Sequence, residues 1–255
     1  MRRVYRKNCA CPGNWLDKVE KTLPDYQEFL RRAAAFERLG LNSKERRAGF
    51  STFAPDVLVA RNKSGKAEFP AIWGKQKELI AGMSHRKCVY CEVPINARRA
   101  AHVEHFKPKA LFPSLAYEWT NYFLGCPGCN GAKGDKWPKR GGYVRPDKGD
   151  PSRHFVFSED GSMKAVKPNS SAARTVEDFD LNRTWLADRR KHNVEKMLNI
   201  LNAAVGLCRK GHEDLAKHLA RTLLDNIDTP EAEYSATLTQ CFWRVWKCAC
   251  PGLRV

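Results

Sequence analysis

Four cysteines stand in two pairs, Cys88 with Cys91 and Cys126 with Cys129, each pair spaced by two residues. That gap lets both sulfurs turn toward one ion. Two such knuckles supply the four thiolates of a closed tetrahedral zinc site. The interval between them is longer than in a zinc ribbon, so a folded segment must lie inside it. That segment contains HVEHFKPK at residues 102–109 and YEWTNYFLG at 117–125. It sets imidazoles, a carboxylate, an amide and lysines beside the sulfur ligands, the inventory for hydrolysing a phosphodiester. The reaction needs a base for water, a cation against the phosphorane-like charge, and help for the departing oxygen. A neutral imidazole takes a proton near pH 7. A carboxylate and an amide oxygen can hold Mg²⁺ or Mn²⁺, and lysines can neutralise phosphate.

The run CVYCE, then VEHFKPK, then YEWTNYFLGCPGCNGAKGD resembles the HNH endonuclease pattern, in which zinc knuckles clamp a ββα-metal (His-Me finger) hairpin and helix. It is most similar to the HNH nucleases of retron and Septu anti-phage systems (PtuB-like). The similarity runs from about Trp73 through TVEDFDLNR to Arg190, and the flanks match less clearly. The resemblance implies that His105 is the general base and that Glu104, the acidic residue before it, binds a catalytic Mg²⁺ or Mn²⁺. Asn121 matches the central asparagine, which orients the histidine and holds the loop. Asn130 occupies the third motif position beside the same cation. Many members carry histidine there and aspartate at the position of Glu104, so this chain is an HNN variant with two departures. Both keep an oxygen ligand. The resemblance further implies a structural zinc on Cys88, Cys91, Cys126 and Cys129. It also implies a nucleic-acid substrate (DNA favoured, tRNA or other RNA open) and an ABC-type ATPase partner that restrains cutting until infection.

Each residue has a plainer reading. His105 alone could be a structural imidazole, and Asn121 could cap the following turn. His102 shares a strand face with Glu104 if the segment is extended, as an extra ligand or as a bystander. Lys107, Lys109 and Lys133 are candidate phosphate contacts or solvated lysines. Pro108 should stop the strand just past His105. Cys9, Cys11, Cys248 and Cys250 offer either a second metal site or simple packing, while Cys208 and Cys241 read as helix-core cysteines. Two rival functions remain. His102-Val103-Glu104 followed by Cys126 and Cys129 imitates the HxE…PCxxC signature of zinc deaminases. However, Gly125 replaces the proline, and Pro108 would cut short the helix that those enzymes grow from HxE. A non-catalytic zinc module that binds nucleic acid or scaffolds a complex fits the knuckles and the charge, but gives the Glu-His pair no use.

The rest of the chain must position this segment. With 255 residues it can bury a core without disulfides. Its 45 basic against 28 acidic residues give a formal charge of +17, which suits a polyanionic partner and is unusual for an enzyme of small neutral metabolites. Residues 1–153 hold 30 of the basic and 15 of the acidic side chains, so that part faces phosphate. MRRVYRKNCACPG has no apolar signal region, and the most apolar stretch, Leu198 to Cys208, is too short for a membrane span. A cytoplasmic, bacterial protein is expected. The chain reads as α+β in three parts: a helical region over 1–83, a zinc-stabilised nuclease core over 84–145, and a mostly helical region over 146–255. Helices are expected over Asp25–Leu39, Ile72–Met83, Trp185 to about Leu207 with Thr184 as cap, His212–Ile227 and Glu231–Trp246. Phe50–Phe69 reads as loop with at most one short strand. Arg145–Phe157 reads as loop entering a strand, with a turn at Glu159–Gly161. Phe242, Trp243 and Trp246 in the last helix are either a hydrophobic docking surface or ordinary core.

Overall fold

The computed structural model describes residues 1–40, 44–96 and 100–255. The N-terminal part folds as α1 (Trp15–Thr22), α2 (Tyr26–Glu37), α3 (Lys44–Ala48) and α4 (Phe50–Phe53). Asp25 starts α2 by accepting the Glu28 N–H at 2.9 Å. Phe29, Ala33 and Phe36 recur at helical spacing and are buried. Around Phe29 the rings of Tyr26, Phe50, Phe69 and Tyr117 pack with centroids 5.6–6.3 Å apart. Each fully buried ring contributes about 1.5–3 kcal/mol of transfer free energy.

Residues 50–69 are more ordered than the sequence suggested. Besides α4 they contain a hairpin of β1 (Ala60–Arg61) and β2 (Ala67–Glu68). Asn62 builds its turn, with the side-chain oxygen accepting from the Ser64 and Lys66 N–H groups. The expected helix at 72–83 splits into a 3-10 turn (Ile72–Gln76) and α5 (Lys77–Gly82).

The central part holds an antiparallel pair, β3 (His102–His105) and β4 (Tyr122–Gly125), followed by α6 (Pro127–Lys133). α6 packs against β3, α5 against both strands, and the 72–76 turn against β3. Beyond it lie the hairpin β5 (Phe155–Phe157) and β6 (Met163–Ala165), then α7 (Ser170–Asp178), α8 (Thr184–Arg209), α9 (Glu213–Ile227) and α10 (Ser235–Ala249). Thr184 is the first residue of α8 rather than its cap, a role that falls to Arg183 without a side-chain bond. α8, α9 and α10 pack on one another, and α10 also covers β5.

Phe242 and Trp246 are fully buried, which corrects the docking-surface reading for these two residues. Spaced with Leu238 and Cys241, they form the inner face of α10. The mixed helix and strand content is as expected. Among the described residues, no helix is long and apolar enough to cross a membrane.

Candidate active site and metal centre

Side chains alternate along β3. His102 and Glu104 turn toward α6, whereas the His105 ring lies against Trp73 and Tyr122, with centroids 4.7 and 5.1 Å away and edge-on geometry. The Nε2 atom of His105 lies 3.0 Å from the Ala116 carbonyl oxygen. A carbonyl only accepts, so Nε2 carries the proton and Nδ1 keeps its lone pair. The same carbonyl accepts the Tyr122 hydroxyl at 2.6 Å. Burial, and after it the charge of Lys109, push the imidazole down to about 3, although its bond to Ala116 pulls the other way. The ring is therefore neutral at ordinary pH.

Glu104 is buried beneath α6, and Lys133 Nζ lies 2.6 Å from its Oε1. Burial pushes this carboxyl up to about 7 against the opposing pull of Lys133. Lys133 also donates to the His105 carbonyl at 2.8 Å. It is thus buried and engaged inside the hairpin–helix unit instead of standing at the surface as a phosphate contact. Gly125, opposite His102 in the register, leaves the space that Glu104 and Asn130 share. A Cβ there would sit 3.3 Å from the Glu104 Cβ and 3.6 Å from the Asn130 Cβ. Asn130 donates through Nδ2 to His102 Nδ1 at 2.9 Å, a bond that does not use its amide oxygen.

Asn121 closes the excursion between the strands. Its Oδ1 accepts the Lys107 N–H at 2.9 Å, and its Nδ2 donates to the carbonyls of Lys107 and Leu115 at 3.0 and 3.1 Å. It ties two backbone segments together and does not cap a turn. Arg6 and Arg145 hold the same corner from outside. Both donate to the Thr120 carbonyl and both pair with Asp147. Burial works to raise the Asp147 carboxyl, but bonds from Arg145 and Arg6 outweigh it and hold it below its ordinary value. Lys107 lies over the rings of Phe112 and Trp137, and Lys109 over Phe69 and Trp73, so their stems rest on aromatic surface beside the hairpin.

The four knuckle cysteines converge. Their sulfurs all lie within 4.8 Å of one another, and all four residues are buried. A tetrahedron with Zn–S bonds of about 2.3 Å has edges of roughly 3.8 Å, and Cys91 and Cys126 stand 3.7 Å apart. Burial pushes the Cys88 thiol well up, while hydrogen bonds from Cys129, Cys88 and Cys91 pull Cys126 down. Four thiols cannot all ionise in this space without a cation, so the donor set fits zinc. The first knuckle is tied to the hairpin by the Val89 N–H on the Leu124 carbonyl, and Glu92, directly after Cys91, accepts the Ala236 N–H at the start of α10.

Among the described residues this is the only group of three or more ligating side chains close enough to share an ion. Cys9, Cys11, Cys248 and Cys250 form no second one, and all four are free thiols. HVEH is a strand, so the helix that a deaminase grows from its HxE is absent.

The HNH endonuclease family model matches residues 88–136, the span from the first knuckle to the end of α6 and just beyond. These residues are an HNH endonuclease domain, in a chain similar to PtuB-type proteins. Septu protein PtuB of Bacillus thuringiensis is 29% identical over 204 residues, covering 72% of this chain and 77% of that protein. PtuB of Bacillus mycoides (strain KBAB4) is 24% identical over 241 residues, 75% of this chain and 82% of that one. A protein named as the HNH endonuclease of retron Vc95, from Vibrio cholerae, is 29% identical over 127 residues, 46% of this chain and 62% of that relative.

Sequence reasoning singled out the candidate residues on β3, β4 and α6 and missed what surrounds them. The counter-ion role of Lys133, the Trp73 wall, the Ala116 carbonyl and the Arg6–Asp147–Arg145 corner were not foreseen. A signal existed for one of these, since a lysine three residues past Asn130 on a helix reaches back toward the strand it covers.

Proposed function

We propose that this nuclease hydrolyses phosphodiester bonds of nucleic acid with His105 as general base, acting through Nδ1. The observation that carries the reading is the fixed, neutral imidazole at the end of β3, its Nε2–H committed to Ala116. A pinned tautomer presents the same lone pair at every turnover and costs no reorganisation. Glu104 and Asn130, converging over Gly125, would hold one Mg²⁺ or Mn²⁺. When bound, that ion supplies charge neutralisation at the scissile phosphate and the leaving oxygen. Asn121 keeps the end of β3 in register with the loop that carries Ala116, and so aims the ring. Lys107 and Lys109 meet the backbone phosphates flanking the cut, and Lys133 keeps Glu104 in place between α6 and β3. Zinc on the four cysteines is structural and leaves no position open for substrate.

The relatives are named for Septu and retron systems, and the setting we propose is an effector nuclease of an anti-phage system, with an ABC-type ATPase as its partner. DNA is the favoured substrate and tRNA the second. The working arrangement is a ββα-metal core over residues 84–145 flanked by the two helical regions. The test is cutting of plasmid DNA and of total tRNA with Mg²⁺, with Mn²⁺ and with EDTA, with and without the co-expressed neighbouring ATPase. Cutting that requires the divalent ion is expected. Equal cutting in EDTA would overturn the metal-dependent reading, and an ATPase that neither co-purifies nor alters cutting would remove the partner.

A further inference from the structure

Arg183 lies outside the span that the family model covers, at the entry to α8, yet its guanidinium reaches the metal centre. Nη1 stands 3.5 Å from the Cys129 sulfur, and Nη2 stands 3.6 Å from Cys129 and 3.8 Å from Cys126. The group is fixed from behind by a 2.8 Å bond from Nη1 to the Asp180 carbonyl. Its plane lies over the Trp185 ring at 4.7 Å, which gives this half-exposed indole a task. Space for the approach comes from Gly128 inside the second knuckle. A Cβ at that position would meet Arg183 Nη2 at 3.0 Å and the guanidinium carbon at 3.2 Å.

Four buried thiolates around one Zn²⁺ leave two negative charges in a site that water does not reach. Such a charge is costly unless hydrogen-bonded or paired. Among the described residues, the N–H groups that reach a knuckle sulfur are the backbone of Cys129 and the guanidinium of Arg183.

We propose that Arg183 is the charge-compensating partner of the zinc tetrathiolate, a positioning residue that sets how tightly the metal is held. This rests on the zinc reading of the four cysteines. Its planar fork suits two sulfurs at once in a way that a lysine ammonium does not. Because Arg183 opens α8, the metal centre also ties that helix to the hairpin, beside the bond from α10 to Glu92.

The test compares the full-length wild type with Arg183→Met and Gly128→Val, the second leaving the arginine present but filling the space of its approach. Arg189→Met serves as control, because Arg189 pairs with Glu233 and makes no bond to a sulfur. Zinc content is measured by elemental analysis, and zinc loss by transfer to an excess of a chromogenic chelator. Both test variants should release zinc roughly 10–100-fold faster, the usual penalty for losing an outer-shell partner, and the control should match wild type. In the Co²⁺-substituted protein the sulfur-to-cobalt charge-transfer band should move to longer wavelength in Arg183→Met. Removing N–H donors makes the sulfurs more electron-rich, and simple loosening of the fold has no such signature. Wild-type release from both variants with an unmoved band would overturn the inference alone. A wild-type chain that holds no zinc would overturn the zinc reading and this inference with it.

Discussion

His105 shows how the protonation of a single side chain is set by atoms that leave no mark in a sequence. Its base form is secured by a backbone carbonyl and by burial, so the folded imidazole takes up its proton only near 3. An unfolded histidine does so near its ordinary value of about 6.5. As pH falls from about 6.5 toward 3, the unfolded chain gains a proton that the native one refuses, and stability is lost across that window. At pH 5 the expected loss is about 2 kcal/mol. Urea unfolding at pH 7 and pH 5 checks it: His105→Asn should show a shallower fall than wild type, and an identical fall would contradict the burial argument. Asn121 is next in consequence. Asn121→Ala leaves the Lys107 N–H and two carbonyls without their partner, and should cost about 1–3 kcal/mol in the same assay. The types and spacing of His105, Glu104, Asn121, Asn130 and the four cysteines were legible because ligand spacing is local. Lys133 was misread because its partner lies 29 residues upstream, and a lysine carries no sign of whether it faces solvent or a buried carboxylate.

At the scale of elements, the strands of the site are short and their stability is borrowed. β3 and β4 pair over four residues each, and the pair is closed by Asn121, clamped by Arg6, Arg145 and Asp147, and tied to the first knuckle by Val89. Stripping zinc with a strong chelator should therefore disorder the hairpin as well as the knuckles. Hydrogen exchange should show lost protection at residues 102–105 and 122–125, with α9 protected as before. Unchanged protection of the hairpin would mean that it does not depend on the metal. Long helices were legible from their apolar spacing to within a few residues. Elements of two to four residues, such as β1, β2 and α4, were not, because they carry too few side chains to show a period. The burial of Phe242 and Trp246 was open for a related reason: an aromatic stripe looks the same whether a partner protein or α8 covers it.

At the scale of the whole molecule, the charge of +17 and its concentration in the first 153 residues set how the nuclease meets its substrate. On the proposed reading, long-range attraction to phosphate brings nucleic acid in, and the hairpin face with Lys107 and Lys109 holds it over His105. Binding of a duplex measured in Ca²⁺ should weaken linearly with the logarithm of salt. The Lys107→Ala, Lys109→Ala double variant should reduce that slope by about 2, one released counterion for each lost phosphate contact. An unchanged slope would place the substrate on another face. The central claim, that His105 activates the attacking water, is tested most directly by comparing His105→Ala with wild type in single-turnover cutting of the preferred nucleic acid, with zinc content and fold verified for both. The account predicts a loss of about 10²–10⁴-fold in rate with binding retained. Cutting at the wild-type rate by a folded, zinc-loaded His105→Ala protein would contradict it.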